Sequence, residues 1–136
     1  AADSNICRNY KLLTSIKGVG PITAIGMLCS TLNFTKITDH RKFACYCGLA
    51  PFEHSSGTSV RGGCHTSSMA NRDIKVQLNR SALIAIRCDP QLKAYYERKV
   101  AEGKHKFSVL NAVRAKIAAR CFAVVRRGTP YVALQI

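Results

Sequence analysis

Acid is scarce in this sequence. Seven Asp and Glu stand among 136 residues, and they include no close pair of the kind that holds two Mg²⁺ ions for phosphodiester cleavage. Asp39, Glu53, Asp73 and Asp89 fall at helix starts or in loops, where capping accounts for three of them. The histidines His40, His54, His65 and His105 lack an H-x-x-x-H spacing, so a self-contained metal nuclease is not supported and no metal site is predicted. The seven cysteines give no finger spacing either: Cys45-Tyr46-Cys47 has no second pair, and Cys7, Cys29, Cys64, Cys88 and Cys121 stand alone. Several lie on apolar helical stripes, where a free thiol behaves as a small hydrophobe. Reduced cysteines without a disulfide framework or zinc are expected, and Cys64, in a polar loop, is not read as a functional thiol. No apolar run approaches the roughly 18 residues of a membrane span. No signal-peptide pattern opens the chain, so a bacterial cytoplasmic location is expected. Internal repeats and runs of five or six basic residues are also missing.

What the chain has is positive charge. Twenty-one Lys and Arg give a formal net charge of +14, which favours a polyanionic partner. Nucleic acid is the first candidate and an anionic membrane surface the second. The cations are scattered through helical segments and loops, which suits a folded binding surface better than a disordered arm. The length suits one domain with a single core.

Periodicity predicts an all-α fold of about six helices with one long functional loop. Residues 1–9 carry no pattern and read as disordered or as an expression remnant, and 133–136 read as a tail. A first helix over 10–16 (Leu12, Leu13, Ile16) breaks at Lys17-Gly18-Val19-Gly20. Pro21 then opens a second through Ile22, Ala24, Ile25, Leu28 and Leu32. Helix, Gly-hydrophobic-Gly turn, helix is the pattern of a helix-hairpin-helix, whose glycines let backbone N–H groups approach a phosphate. A plain αα-corner uses glycine for the same steric reason, and both readings stay open. Thr38 or Asp39 caps a third helix through Phe43, Ala44 and Cys47 to Gly48. Asn71 is expected to cap a fourth, with Ile74, Leu78, Ala82, Ala85 and Ile86 inward and Arg72, Lys75 and Asn79 outward. Asp89-Pro90 starts a fifth, Glu102-Gly103-Lys104 makes a turn, and the last helix carries Leu110, Val113, Ile117, Cys121 and Val124 before Gly128.

The polar stretch from Pro51 to about Ala70 is long for a structureless loop in a compact domain, which itself points to function. A serine hydroxyl attacks a phosphodiester when a neighbour takes its proton and cations stabilise the pentacovalent state. Ser55, Ser56 and Ser59 are candidates, with Arg61 nearby and His54 and His65 as proton acceptors. Taken alone, Ser-Ser-Gly is more often a turn than a nucleophile.

The order of these pieces adds to that reading. Leu12-Leu13-Thr14-Ser15-Ile16-Lys17-Gly18-Val19-Gly20 is followed by Phe43-Ala44-Cys45-Tyr46-Cys47-Gly48-Leu49-Ala50-Pro51, then Ser56-Gly57 and Arg61-Gly62. After these come Leu92-Lys93-Ala94-Tyr95-Tyr96-Glu97-Arg98, Glu102-Gly103-Lys104 and Gly128-Thr129-Pro130. The series resembles the C-terminal transposase domain of the IS110 family of insertion-sequence recombinases, with residues 10–132 as its counterpart.

The resemblance implies that Ser56, directly before Gly57, is the DNA-attacking nucleophile, forming a phosphoserine link during strand exchange. Arg61 would contact the scissile phosphate or a guide strand. Lys17, Gly18, Gly20, Gly57, His65, Arg72 and Lys75 complete the expected nucleic-acid contacts. It also implies a separate N-terminal RuvC-like domain whose acidic residues hold Mg²⁺, DNA as partner, a structured guide RNA in some members and a homo-oligomeric full-length protein. Neither a cofactor in this segment nor a membrane partner is expected. Relatives carry an R-x-S-K-like run after Arg61-Gly62, and here His65 and Ser68 replace its basic residues. The competing reading is a non-catalytic helix-hairpin-helix nucleic-acid-binding module. A third is a structural oligomerisation domain whose basic surface serves solubility.

Overall fold

A computed structural model describes residues 2–47 and 69–132, with side chains described from Ser4 onward and, in the second stretch, from Asp73 onward. Six helices follow one another: α1 (Ala2–Thr14), α2 (Pro21–Ser30), α3 (His40–Cys47), α4 (Met69–Cys88), α5 (Pro90–Ala101) and α6 (Lys106–Arg127). No strand occurs among the described residues, so the fold is all-α.

The two longest helices, α4 and α6, organise the rest. Helix α4 packs against α2, α3, α5 and α6, and α6 also receives α1 and α3. On α6, Val113, Ile117, Cys121 and Val124 recur at three- and four-residue spacing and are fully buried, one apolar stripe on one helix face. They meet Leu13 and Ile16 from the end of α1, Phe43 from α3, Ile74 and Leu78 from α4, and Leu92 from α5. Each such side chain contributes about 1.5–3 kcal/mol by leaving water.

The ends of the helices follow from local chemistry. Asp89 caps α5, its Oδ1 accepting from the N–H groups of Gln91 at 2.9 Å and Leu92 at 3.3 Å, and Pro90 supplies the first-turn φ. Asp39 Oδ1 accepts from the Arg41 N–H at the start of α3. Helix α6 stops at Gly128, whose φ of 76° is left-handed and whose N–H reaches the Val124 carbonyl at 2.9 Å. This is the glycine stop expected from sequence.

Four expectations are corrected. Helix α1 begins at Ala2, so residues 2–9 are helical. The sequence signal there is thin because Asn9 is buried through its amide, which donates to Asn33 Oδ1 at 2.8 Å, and not through apolar periodicity. Helix α4 begins at Met69, which puts Asn71 and Asp73 inside it and not at its cap. Cys45 is disulfide-bonded, whereas Cys7, Cys29, Cys47, Cys88 and Cys121 are free thiols; spacing along a chain does not report which sulfurs approach in space.

The fourth correction is the end of α2, at Ser30 and not Leu32. Leu32, Asn33 and Phe34 all take left-handed φ, at 51°, 58° and 62°. That conformation is unfavourable for branched and bulky residues. It persists because the surroundings hold it. Thr31 Oγ1 accepts from the Phe34 N–H at 2.8 Å, Asn33 is tied to Asn9, and the Phe34 ring meets Phe122 edge-on at 4.9 Å. Phe122 in turn lies 5.5 Å from Phe43, so the turn is fastened to the core through its third residue.

Leu32 gains little from its own side chain, which is 57% exposed. Leu32→Gly is therefore expected to hold or raise stability, by up to about 1 kcal/mol, as relief of the left-handed strain outweighs glycine's entropy. Thermal unfolding checks this, and a clear drop in Tm would show that the exposed leucine is needed for packing.

Candidate nucleic-acid interface

The turn from α1 to α2 carries three of the residues singled out from sequence. Lys17 is exposed, while Val19 is buried and anchors the turn to the core. The two glycines have different physical reasons. Gly18 has φ of 94°, and a Cβ there would sit 2.8 Å from the Ser81 carbonyl oxygen and 3.1 Å from the Ala85 Cβ of α4. The fold needs glycine at that point. Gly20 is the N-cap of α2 with extended backbone, φ −99°, and nothing lies within 4 Å of a Cβ placed on it. No side chain caps this helix end. Pro21 has no N–H, Thr23 is buried and the Ala24 N–H donates to the Gly20 carbonyl at 2.9 Å. The exposed Ile22 end of α2 therefore carries the partial positive charge of a helix N-terminus, with Lys17 close in sequence.

Thr23, one turn in, shares a buried hydroxyl hydrogen bond with Ser81 at 3.0 Å, fixing α2 against α4. Lys75 is exposed on α4, six residues before Ser81, which is about 9 Å along the helix axis. The α1–α2 turn and Lys75 thus lie at different levels along α4. Arg72 lies in α4, with only its backbone described. Ser56, Gly57, Arg61 and His65 lie outside the described residues, as do Ser55, His54 and Cys64.

Between α2, α3 and α4 is a groove of about 500 Å³ lined by Ile22, Ile25, Leu32, Tyr46, Asp73 and Gln77, among others. Ile22 and Ile25 are 63% and 52% exposed. The sequence pattern sets both with Ala24 along one apolar helix. In the structure Thr23, Ala24 and Met27 are the buried residues of α2, and Gly26 lies close against Gln77 and Ile74 of α4.

The best-defined polar contact joins Asp89 to α6. Arg120 Nη1 donates to Asp89 Oδ2 at 2.7 Å, and its other terminal nitrogen donates to Gln91 Oε1 at 3.0 Å. The carboxylate side chain is 2% exposed. Burial alone would raise the Asp89 pKa, but the Arg120 hydrogen bond and charge, together with the two capping N–H groups, outweigh it and leave the carboxyl below its ordinary value. Sequence reading found the cap but not Arg120. The available signal was α6 itself, which carries six Lys and Arg and no acid, so a partner for one of them had to come from another helix.

Burial pushes the Cys47 and Cys121 thiols up to about 12, which keeps both protonated and unreactive. Among the described residues no three His, Cys, Asp or Glu side chains gather as metal donors, and no helix is long and apolar enough to cross a membrane.

Comparison with known proteins gives this basic, helical chain its relatives. Residues 10–97 match the family described as Transposase IS116/IS110/IS902. The chain is 38% identical over 121 residues to the insertion element IS110 uncharacterized 43.6 kDa protein of Streptomyces coelicolor, covering 88% of this chain and 29% of that protein. It is 26% identical over 126 residues to the pilin gene-inverting protein of Moraxella lacunata, covering 90% of this chain and 39% of that one. The insertion element IS900 uncharacterized 42 kDa protein of Mycobacterium paratuberculosis is 30% identical over 112 residues, covering 81% of this chain and 28% of that protein. These matches make the chain a member of a transposase family. It belongs to the IS116/IS110/IS902 family, and it spans less than two fifths of the length of these relatives.

The Asp89–Arg120 pair makes a stability prediction with a definite sign. Because the folded pKa lies below the unfolded one, the contribution is present above the unfolded carboxylate range and is lost as pH falls through the folded pKa. Stability should therefore decline as pH drops below about 4. Asp89→Asn, which strands Arg120 and weakens the cap, is expected to cost about 3 kcal/mol at neutral pH and to flatten that acid limb. Denaturant melts of both proteins from pH 7 to pH 3 test it, and parallel curves would show that Asp89 does not carry the acid limb.

Proposed function

We propose that residues 10–132 are the DNA-binding and serine-nucleophile domain of an insertion-element transposase, with Ser56 as the attacking residue. The observation that carries this is the family match over residues 10–97, which takes in the Lys17 hairpin and Ser56-Gly57 in a single stretch. The relative named as a pilin gene-inverting protein adds support, since inverting a gene means cutting and rejoining DNA strands.

The chemistry proposed is a transesterification. Ser56 Oγ attacks phosphorus and loses its proton to an acceptor, with His54 and His65 as the candidates. The phosphorus–oxygen bond to the leaving sugar oxygen breaks, and that oxygen takes up a proton. The phosphoserine link keeps the ester available, so a second strand's hydroxyl reverses the step and restores the serine. Arg61 supplies positive charge to the pentacovalent phosphorane. On this reading metal chemistry belongs to the acidic residues of a separate RuvC-like domain, which would hold Mg²⁺ and supply positive charge to the reacting phosphate. The active site is completed between protomers of the full-length protein, and a structured guide RNA is a further partner on this reading.

The hairpin is the proposed phosphate contact. Gly18 is required by packing, whereas Gly20 has open space around it, so only Gly20 leaves an approach path that a side chain would obstruct. Gly20→Ala is expected to leave Tm unchanged and weaken DNA binding about five-fold, roughly 1 kcal/mol. Gly18→Ala is expected to cost about 2 kcal/mol of stability from φ strain and the clash. Equal DNA affinity for wild type and Gly20→Ala would remove the hairpin from the interface.

Nucleophile and binding module are separated by one comparison. Full-length protein with element-end DNA should leave a covalent protein–DNA adduct on a denaturing gel, and Ser56→Ala should abolish the adduct while DNA binding persists. Binding without an adduct in the wild type would favour the non-catalytic helix-hairpin-helix module.

A further inference from the structure

Helices α5 and α6 enclose a groove of about 530 Å³ remote in sequence from the hairpin and the serine loop. Its lining is Gln91, Leu92, Ala94, Tyr95, Arg98, Lys116, Ala119 and Arg120. Three of these are cations and none is a carboxylate. Small side chains, Ala94 from α5 and Ala119 from α6, leave room between the helices.

The cations gather at two aromatic rings, with Arg98 and Lys116 exposed and Arg120 largely buried. The half-buried Tyr95 ring has Lys116 Nζ 4.5 Å from its centroid, Arg98 Cζ at 5.6 Å and Lys99 Nζ at 5.9 Å. Arg120 is fixed by Asp89 and Gln91 and lies 4.8 Å from the Tyr131 ring centroid. Side chains ordered before a ligand arrives lose less entropy on binding it. The acids facing the groove's rim do not neutralise it. Asp89 is engaged with Arg120, and Glu102 reaches Arg98 at 3.8 Å and Lys99 at 3.6 Å from an exposed position, where an ion pair is worth little. Lys116 has no ion-pair partner among the described residues. Converging like charges repel, and an anion between them relieves the repulsion.

Building on the reading that this chain binds DNA, we propose that the α5–α6 groove is a second DNA-binding surface. Lys116 and Arg98 contact backbone phosphates there, and Tyr95 and Asp89 position the cations. The geometry suits backbone and not base recognition, because the Tyr95 ring is already engaged by cations and the lining offers mainly donors. Phosphate contacts of this kind fix a protein on a duplex without reading its sequence.

The test uses the 136-residue chain and a duplex of mixed sequence, with affinity measured across a salt series. The double variant Lys116→Gln/Arg98→Gln should lower the slope of log K against log[salt] by about 2 and weaken binding about ten-fold or more near 0.1 M salt. Its circular dichroism and melting temperature should stay close to wild type. Arg at position 116 (Lys116→Arg) should retain binding, and Lys11→Gln on exposed α1 should leave the slope unchanged. An unchanged slope in the double variant, with the wild type binding normally, overturns the groove assignment alone. An equal loss for Lys11→Gln overturns it too, because a diffuse basic surface would then account for binding. A wild-type chain that binds RNA but no duplex, or binds neither, overturns the DNA reading together with the groove.

Discussion

Asp89 holds together more of this structure than any other polar side chain. One carboxylate oxygen caps α5 and the other takes the guanidinium of Arg120 on α6. Arg120 lies over the Tyr131 ring, and the Tyr131 N–H donates to Ser15 Oγ at 2.9 Å just after α1. The α4–α5 junction, α6, the segment after α6 and the end of α1 are thereby connected through one buried charge. Removing either partner leaves the other desolvated and unpaired, which is why such pairs cost far more to break than surface bridges.

The rest of the fold is arranged around excess positive charge. Helix α6 combines a fully buried stripe with six cations and no acid. Its cations must therefore be placed at the edges of the stripe, where Arg120 finds Asp89 and Lys116 finds the Tyr95 ring. Aromatic faces supply negative potential without adding a carboxylate. This explains how a chain with seven acids and a net charge of +14 fastens two helices rich in Lys and Arg along one groove. Aromatic contacts elsewhere serve packing, with Phe34, Phe122 and Phe43 joining the left-handed turn and α3 to α6.

Much of the fold was legible because its signals are local. Asp89-Pro90, Gly103 and Gly128 are stops and starts whose effect is decided within a few residues, and the α6 stripe repeats often enough to identify a face. The features that escaped depend on distant partners. Asn9 is buried because Asn33 receives its amide, 24 residues on, and no periodicity could report that. Ile22, Ala24 and Ile25 read alike as apolar helix residues, yet Ala24 is buried while both isoleucines are exposed, because Gly26 brings α2 close to α4 on one side only. The left-handed run at Leu32, Asn33 and Phe34 contradicts the preferences of two of its three residues, and only Thr31, Asn9 and Phe122 make it tenable. The serine segment is a different case: it lies outside the described residues, Ser56-Gly57 carries no specific signal from composition, and its proposed role rests on the order of motifs on either side.

That difference in evidence bears on how the proposed chemistry is distributed. Among the described residues Asp89 is the one buried carboxylate, and its oxygens are already filled by two backbone N–H groups and an arginine. A carboxylate so engaged has little capacity left to bind a divalent ion or accept a proton from serine. The exposed acid near the groove, Glu102, faces Arg98 and Lys99. On the proposed reading, what the described residues would offer a phosphodiester is therefore cations and the N-terminal end of α2. Those elements bind and stabilise negative charge, and they do not activate a nucleophile. On the proposed reading, activation must come from a histidine of the serine segment or from acids on another domain. On that proposal recombination would depend on bringing this basic surface and an acidic site onto the same DNA, so a cut would be made only where both are assembled.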